Sequence, residues 1–201
     1  ELDGAHNKGK PQLRIDEARR LQQVLLGGDT QAATAVLCIL LLGVRSRELL
    51  DRVVRDLDDD GWILVIEKGK TRRSNRKVKL TPELRERLQA LARGRRPTQP
   101  LLPARASKGQ RLKGGGFHYS TWLNDQVKAL CKSAGVPEVC VHGLRGTHAS
   151  LAEEAGETAE AVAAALGHSS TKVTHDHYTR PDVVASARQK KAIETLEGDQ
   201  R

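Results

Sequence analysis

The sequence predicts an α+β protein, mainly α-helical, with a small antiparallel β-sheet at one side. Apolar residues recur at three- and four-residue spacing through most of the chain, which is the helical period. Between 62 and 80 the period falls to two across a turn-rich stretch, which is the pattern of a hairpin. The 201 residues, 38% of them apolar, are enough to bury a core without staples. Three scattered cysteines exclude a disulfide scaffold. The longest apolar run, 35–44, is too short to cross a bilayer, so no membrane partner is expected.

Taken in order, Glu1 to Leu13 is rich in Gly, Lys, Asn and Pro and reads as a linker. The chain holds no Met, so it is expected to be a fragment whose linker leads from an upstream domain. A first helix starts near Ile15, with Ala18, Leu21, Val24 and Leu25 on one face, Asp16 as its cap and Gly27-Gly28 as its stop. The stretch Thr30 to Leu42 is apolar all round and predicts a buried central helix ended by Gly43. A short polar helix follows from Ser46 to Asp51. Trp62 to Ile66 and Arg76 to Leu80 form the hairpin around Gly69 to Asn75. Thr81-Pro82-Glu83 starts the next helix, with a hydroxyl cap, Pro at the first position and an acid in the first turn. It ends near Gly94, and residues 94–116 read as a long basic loop. Helices return over 119–134, 142–155, 158–166, 169–177 and 182–196.

Charge narrows the partner. Lys and Arg number 34 against 25 Asp and Glu, for a net charge of +9. Residues 68–79 carry Lys68, Lys70, Arg72, Arg73, Arg76, Lys77 and Lys79 without an acid. Residues 93–113 carry seven more bases, among them Arg105, Lys108, Arg111 and Lys113, again without an acid. These fourteen charges exceed the net total and leave the rest of the chain at −5. Two basic loops on an otherwise acidic protein are what contact with a phosphate backbone requires, so double-stranded DNA is the expected partner.

The densest chemistry lies in Val141-His142-Gly143-Leu144-Arg145-Gly146-Thr147-His148-Ala149. His142 and Arg145 stand three apart on a helix, so a donor His and an Arg fork share one side and could hold two oxygens of one phosphate. Leu144, Leu151 and Ala155 lie on a different face and anchor the helix in the core. Leu166-Gly167-His168-Ser169 and then Tyr178 follow. Of the two tyrosines, Tyr119 sits beside Phe117 and Trp122 in what reads as core. His148, His175 and His177 read as exposed helix residues, and Cys38, Cys131 and Cys140 as buried thiols. Neither a His-x-x-x-His nor a Cys-x-x-Cys pair occurs, so no metal ligand set is expected.

His142-x-x-Arg145, Leu166-Gly167-His168-Ser169 and Tyr178 resemble the second conserved block of the tyrosine recombinases, the phage integrase family. Gly43-Val44-Arg45-Ser46-Arg47-Glu48-Leu49 resembles the first block, and Lys70-Thr71 with Arg76 and Val78-Lys79-Leu80 resembles the hairpin-lysine segment. The resemblance runs over about 11–190; Lys79 stands where the family often has Pro, and Gly146 and His148 replace a commoner His and an aromatic. It implies a catalytic domain of tyrosine-recombinase type over 14–201. Arg45, Arg145 and His142 would hold the scissile phosphate, oriented by Glu48. Lys70, or Lys68 two residues away, would protonate the leaving 5′-oxygen, His168 would assist, and Tyr178 would be the nucleophile. The remaining bases of the two loops would bind DNA. The resemblance further implies site-specific cutting and rejoining with no cofactor, no metal and no ATP. The protein would be a monomer in solution and a homotetramer on DNA, in the cytoplasm of a prokaryote or encoded by a phage and associated with the nucleoid. A non-catalytic DNA-binding protein of the same fold and a type IB topoisomerase-like relaxing enzyme are the alternatives. The helix over 182–196, which follows the nucleophile, is expected to dock on a neighbouring subunit or on its own domain.

Overall fold

A computed structural model describes residues 10–67, 76–105 and 114–167. Among them are seven α-helices and one three-stranded antiparallel sheet at the side of the helical body. The central element is α2 (Gln31–Leu42), which Thr30 caps by accepting from the Ala33 N–H at 3.1 Å. Its apolar surface all round puts it in the middle of the molecule, packed on α1 (Ile15–Gly27), α4 (Pro82–Ala92), α5 (Ser120–Ser133) and α6 (Val141–Glu154). Val36, Leu37, Cys38 and Ile39 are fully buried there, and each large apolar side chain so buried contributes roughly 2 kcal/mol. Burial also pushes the Cys38 thiol up to about 12, so it serves as a small apolar residue.

Gly43 ends α2 with a left-handed φ of 59° and donates its N–H to the Ile39 carbonyl. A Cβ at Gly43 would lie 2.5 Å from the His148 ring and 2.6 Å from Leu166, so turn and packing both require glycine. The turn leads into α3 (Ser46–Leu50). Strand β2 (Ile63–Ile66) pairs with β3 (Arg76–Lys79), Ile63 facing Lys79 and Ile66 facing Arg76. Thr81 caps α4 with Pro82 at its first position, as the sequence predicts. Helix α7 (Ala159–Leu166) closes on Gly167, which is again left-handed.

The structure departs from the sequence reading at several points. Asp16 does not cap α1; Glu17 does, its carboxylate reaching back to accept the Arg14 N–H at 2.7 Å. A third strand, β1 (Leu57–Asp58), pairs with β2, and two residues are too few to show a period. The loop after α4 contributes to the core, because Leu101 and Leu102 are fully buried and Pro100 bridges to Val53. Tyr119 is 52% exposed: it stands at the N-cap of α5, whose buried side is Leu123, Val127 and Cys131. Ala155 is the exposed C-cap of α6 and anchors nothing. His148 is packed beneath Gly43, with its Nδ1 3.0 Å from the Leu40 carbonyl, and burial first, then Arg145, push its pKa down. Cys140 is half-buried and caps α6, its Sγ accepting from the Gly143 N–H at 3.3 Å. The helices expected over 169–177 and 182–196 lie outside the described residues.

Candidate active site

Three guanidiniums from three distant parts of the chain meet at one carboxylate. Arg45 is the N-cap of α3, and Glu48, three residues on, turns back toward it. Glu48 Oε2 accepts the Arg45 backbone N–H at 2.8 Å, and Oε1 accepts from Arg45 Nη1 at 2.7 Å. Arg76, the first residue of β3, donates from Nη1 to Oε1 and from Nη2 to Oε2, both at 3.0 Å. This is the two-pronged geometry that matches a planar guanidinium to a carboxylate. Arg145 Nη1, from α6, lies 3.9 Å from Oε2.

Backbone carbonyls hold the same groups from behind. Arg145 donates through Nη1 to the Gly43 carbonyl and through Nη2 to the Leu166 carbonyl at 2.8 Å. Arg45 Nη2 donates to the Gly167 carbonyl at 3.3 Å. The turn after α2, the start of β3, the middle of α6 and the end of α7 are thereby tied together.

Burial differs sharply among the arginines: the side chains of Arg145 and Arg76 are 1% and 12% exposed, that of Arg45 is 41%. Solvent reaches the cluster at Arg45. Burial pushes the Glu48 carboxyl up, but hydrogen bonds from Arg76 and Arg45 outweigh it and hold the group at about 2. The carboxylate is therefore ionised, and three cations around one anion leave a net charge of two. At close range and an effective dielectric near 20, each such charge attracts an anion by about 4 kcal/mol. A partly desolvated excess of that size fits a phosphate.

The other expected site residues fall in two groups. His142 is exposed in the first turn of α6, one turn before buried Arg145. Lys77 is exposed on β3, and Arg105 is exposed after Pro103. Lys68, Lys70, Arg72, Arg73, Lys108, Arg111, Lys113, His168 and Tyr178 lie outside the described residues. Among the described residues no group of three or more His, Cys, Asp or Glu side chains is arranged to hold a metal. No described helix is long and apolar enough to cross a membrane.

Sequence reasoning grouped Arg76 with the DNA-contacting bases, whereas its guanidinium is spent on Glu48. The link joins residues 28 apart through a hairpin, and nothing local to Arg76 announces it. Arg95 likewise donates to the Leu91 and Leu101 carbonyls, both at 3.3 Å.

The model of the phage integrase family matches residues 11–183. The integrase of Mycobacterium phage L5 is 27% identical over 166 residues, covering 76% of this chain and 43% of that protein. The integrase of Mycobacterium phage D29 is 28% identical over 144 residues, covering 66% and 37%. The chain thus spans less than half the length of these two relatives. In fold it is similar to XerA recombinase, with a TM-score of 0.70 at 20% identity, covering 96% of this chain and 65% of that one. It is equally similar to XerH recombinase bound to a palindromic difH substrate in a post-cleavage complex, at 0.70 and 20%, covering 98% and 56%. For a lambda integrase dimer bound to a COC′ core site the TM-score is 0.57 at 16% identity, covering 96% and 52%.

Proposed function

The chain belongs to the phage integrase family, and from that premise we propose that it is a site-specific DNA recombinase, cutting and rejoining DNA through a 3′-phosphotyrosyl intermediate. One observation carries the reading: Arg45, Arg76 and Arg145 converge on ionised Glu48 and leave a positive excess open to solvent at Arg45. A phosphodiester transition state gathers charge on its non-bridging oxygens, and fixed cations stabilise it without reorganising.

In this reading Arg45 and His142, which solvent reaches, contact the scissile phosphate, Arg145 adds its fixed charge from the buried floor of the site, and Glu48 orients the arginines. The Tyr178 oxygen attacks phosphorus, a P–O bond to Tyr178 forms, and the bond to the 5′-oxygen breaks. Lys70, or Lys68, gives that oxygen its proton, and His168 assists as the proton carrier that accepts the proton Tyr178 gives up. A phenol near pKa 10 becomes a competent nucleophile once its proton is accepted and its charge is balanced by neighbouring cations. The phosphotyrosyl link conserves the energy of the broken bond, so a second 5′-hydroxyl can displace Tyr178 without ATP. Fixed cations supply the charge that a metal would otherwise bring. The similarity to phage integrases supports a prokaryotic or phage-encoded protein. Strand exchange between two duplexes calls for four nucleophiles, hence a homotetramer on DNA.

Covalent capture tests the reading. The protein is mixed, with chelator present, with a randomised pool of nicked duplexes whose released flap cannot religate, then denatured. The expected result is protein-linked DNA that disappears with Tyr178→Phe. DNA that is bound but never linked would favour a non-catalytic binder of the same fold, and an adduct that requires a divalent ion would refute metal independence. Relaxation of supercoiled DNA without strand exchange would identify a topoisomerase-like activity.

A further inference from the structure

The base of the β2–β3 hairpin is gripped on both legs from one short segment. Arg52, two residues beyond α3, donates from Nη1 to the Val65 carbonyl at 3.2 Å and from Nη2 to the Glu67 carbonyl at 3.1 Å. These carbonyls belong to the end of the outgoing leg. On the returning leg Arg76 faces Ile66 across the ladder and forks onto Glu48. Glu48 and Arg52 are four residues apart, so the α3 segment fixes the spacing between the two legs. The Arg76 guanidinium also lies against the end of α7, where a Cβ on Gly167 would stand 2.8 Å from Nη1. With both Nη groups on Glu48 and 12% of its side chain exposed, Arg76 is poorly placed to reach a duplex, while Lys77 and Lys79 beside it are exposed.

We propose that Arg76 is a positioning residue for strand cleavage and not a DNA contact: with Arg52 it locks the hairpin base onto α3, so that β2, β3 and the arginine cluster form one rigid unit. The proposal rests on the reading that the chain cleaves DNA, and its test separates the two. Three quantities are measured on the full chain and on Arg76→Gln and Arg76→Lys. They are the salt dependence of DNA binding, the single-turnover rate of adduct formation at saturating DNA, and amide hydrogen exchange over 63–66 and 76–79.

Loss of a phosphate contact lowers the slope of log affinity against log salt by about 0.9. The expected result for Arg76→Gln is an unchanged slope, faster exchange in β2 and β3, and adduct formation slower by about a hundredfold, the scale of a misplaced catalytic group. Arg76→Lys should also be slow, because an ammonium cannot span both Glu48 oxygens. A slope reduced by about 0.9 with exchange unaltered would overturn the proposal and make Arg76 a phosphate contact. Faster exchange with an unchanged adduct rate would also overturn it, leaving Arg76 a purely structural anchor. Should the parent protein form no adduct on any DNA, the cleavage reading fails and takes the catalytic half of the proposal with it, while slope and exchange still decide whether Arg76 is an anchor or a contact. If Arg76→Gln does not fold, Arg76→Lys carries the same three measurements.

Discussion

Glu48 is one negative charge among three guanidiniums, and its removal leaves mutual repulsion between Arg45, Arg76 and Arg145 with no counter-ion. Breaking a largely buried ion pair by deleting one partner costs roughly 3 kcal/mol or more. Glu48→Gln should therefore lower stability by about that amount in denaturant unfolding and slow adduct formation as the arginines move apart. The pH dependence has a definite sign. The folded carboxyl, at about 2, lies below its ordinary 4.5, so between these values the unfolded chain binds the extra proton. The stabilisation, about 3 kcal/mol, is complete above pH 4.5 and is lost as pH falls toward 2. Glu48→Gln should flatten that part of the stability profile; an equally steep acid limb in the variant would refute this assignment. At this scale the sequence revealed the residue types and the three-residue spacings of Arg45 to Glu48 and His142 to Arg145. It did not reveal that Arg76 joins them, because that contact depends on the hairpin's path.

At the scale of elements, α6 carries both His142 and Arg145 and is covered by the strap 11–13. The Leu13 N–H donates to Thr147 Oγ1 at 2.9 Å, and Ser150 Oγ donates to Gln12 Oε1 at 2.7 Å. Gly143 lets the strap pass, since a Cβ there would lie 2.1 Å from the Pro11 carbonyl oxygen, and that backbone cannot swing away as a flexible side chain would. Gly143→Ala should push the strap off α6, cost roughly 1–3 kcal/mol in thermal unfolding and speed tryptic cleavage after Arg14. Gly27→Ala is the matched control: nothing lies within 4 Å of a Cβ there, so stability should hold or rise slightly. Equal effects of the two substitutions would show that the strap does not press on α6. The start of α6 near 142, the cap at Thr81 and the stop at Gly43 were legible because caps and periodicity are local. The strap's seat on α6 was not, because Gly143 looks like any helix glycine until Pro11 lies over it.

For the whole molecule, the described bases of the two basic stretches divide into those facing outward, such as Lys77, Lys79 and Arg105, and those holding the fold together. Arg76 and Arg95 belong to the second kind, one on Glu48 and one on main-chain carbonyls. Net charge therefore overstates the number of bases left free to meet a polyanion. Replacing Arg105, Lys108, Arg111 and Lys113 together by Gln should reduce the salt slope of DNA binding by about 3 to 4, whereas Arg95→Gln should leave it unchanged. An unaltered slope in the fourfold variant would remove that loop from the DNA interface.

By itself the sequence determined the helical class, the hairpin, the central buried helix, the concentration of charge in two loops and the family, because each is written in neighbouring residues or in their order. Only the tertiary structure decided which cations share Glu48, which are taken up by carbonyls, and that His148 lies beneath Gly43 while Tyr119 faces solvent. Those pairings join residues as far apart as Arg45 and Gly167, 122 positions along the chain, and are set by how α2 gathers α1, α4, α5 and α6 around it.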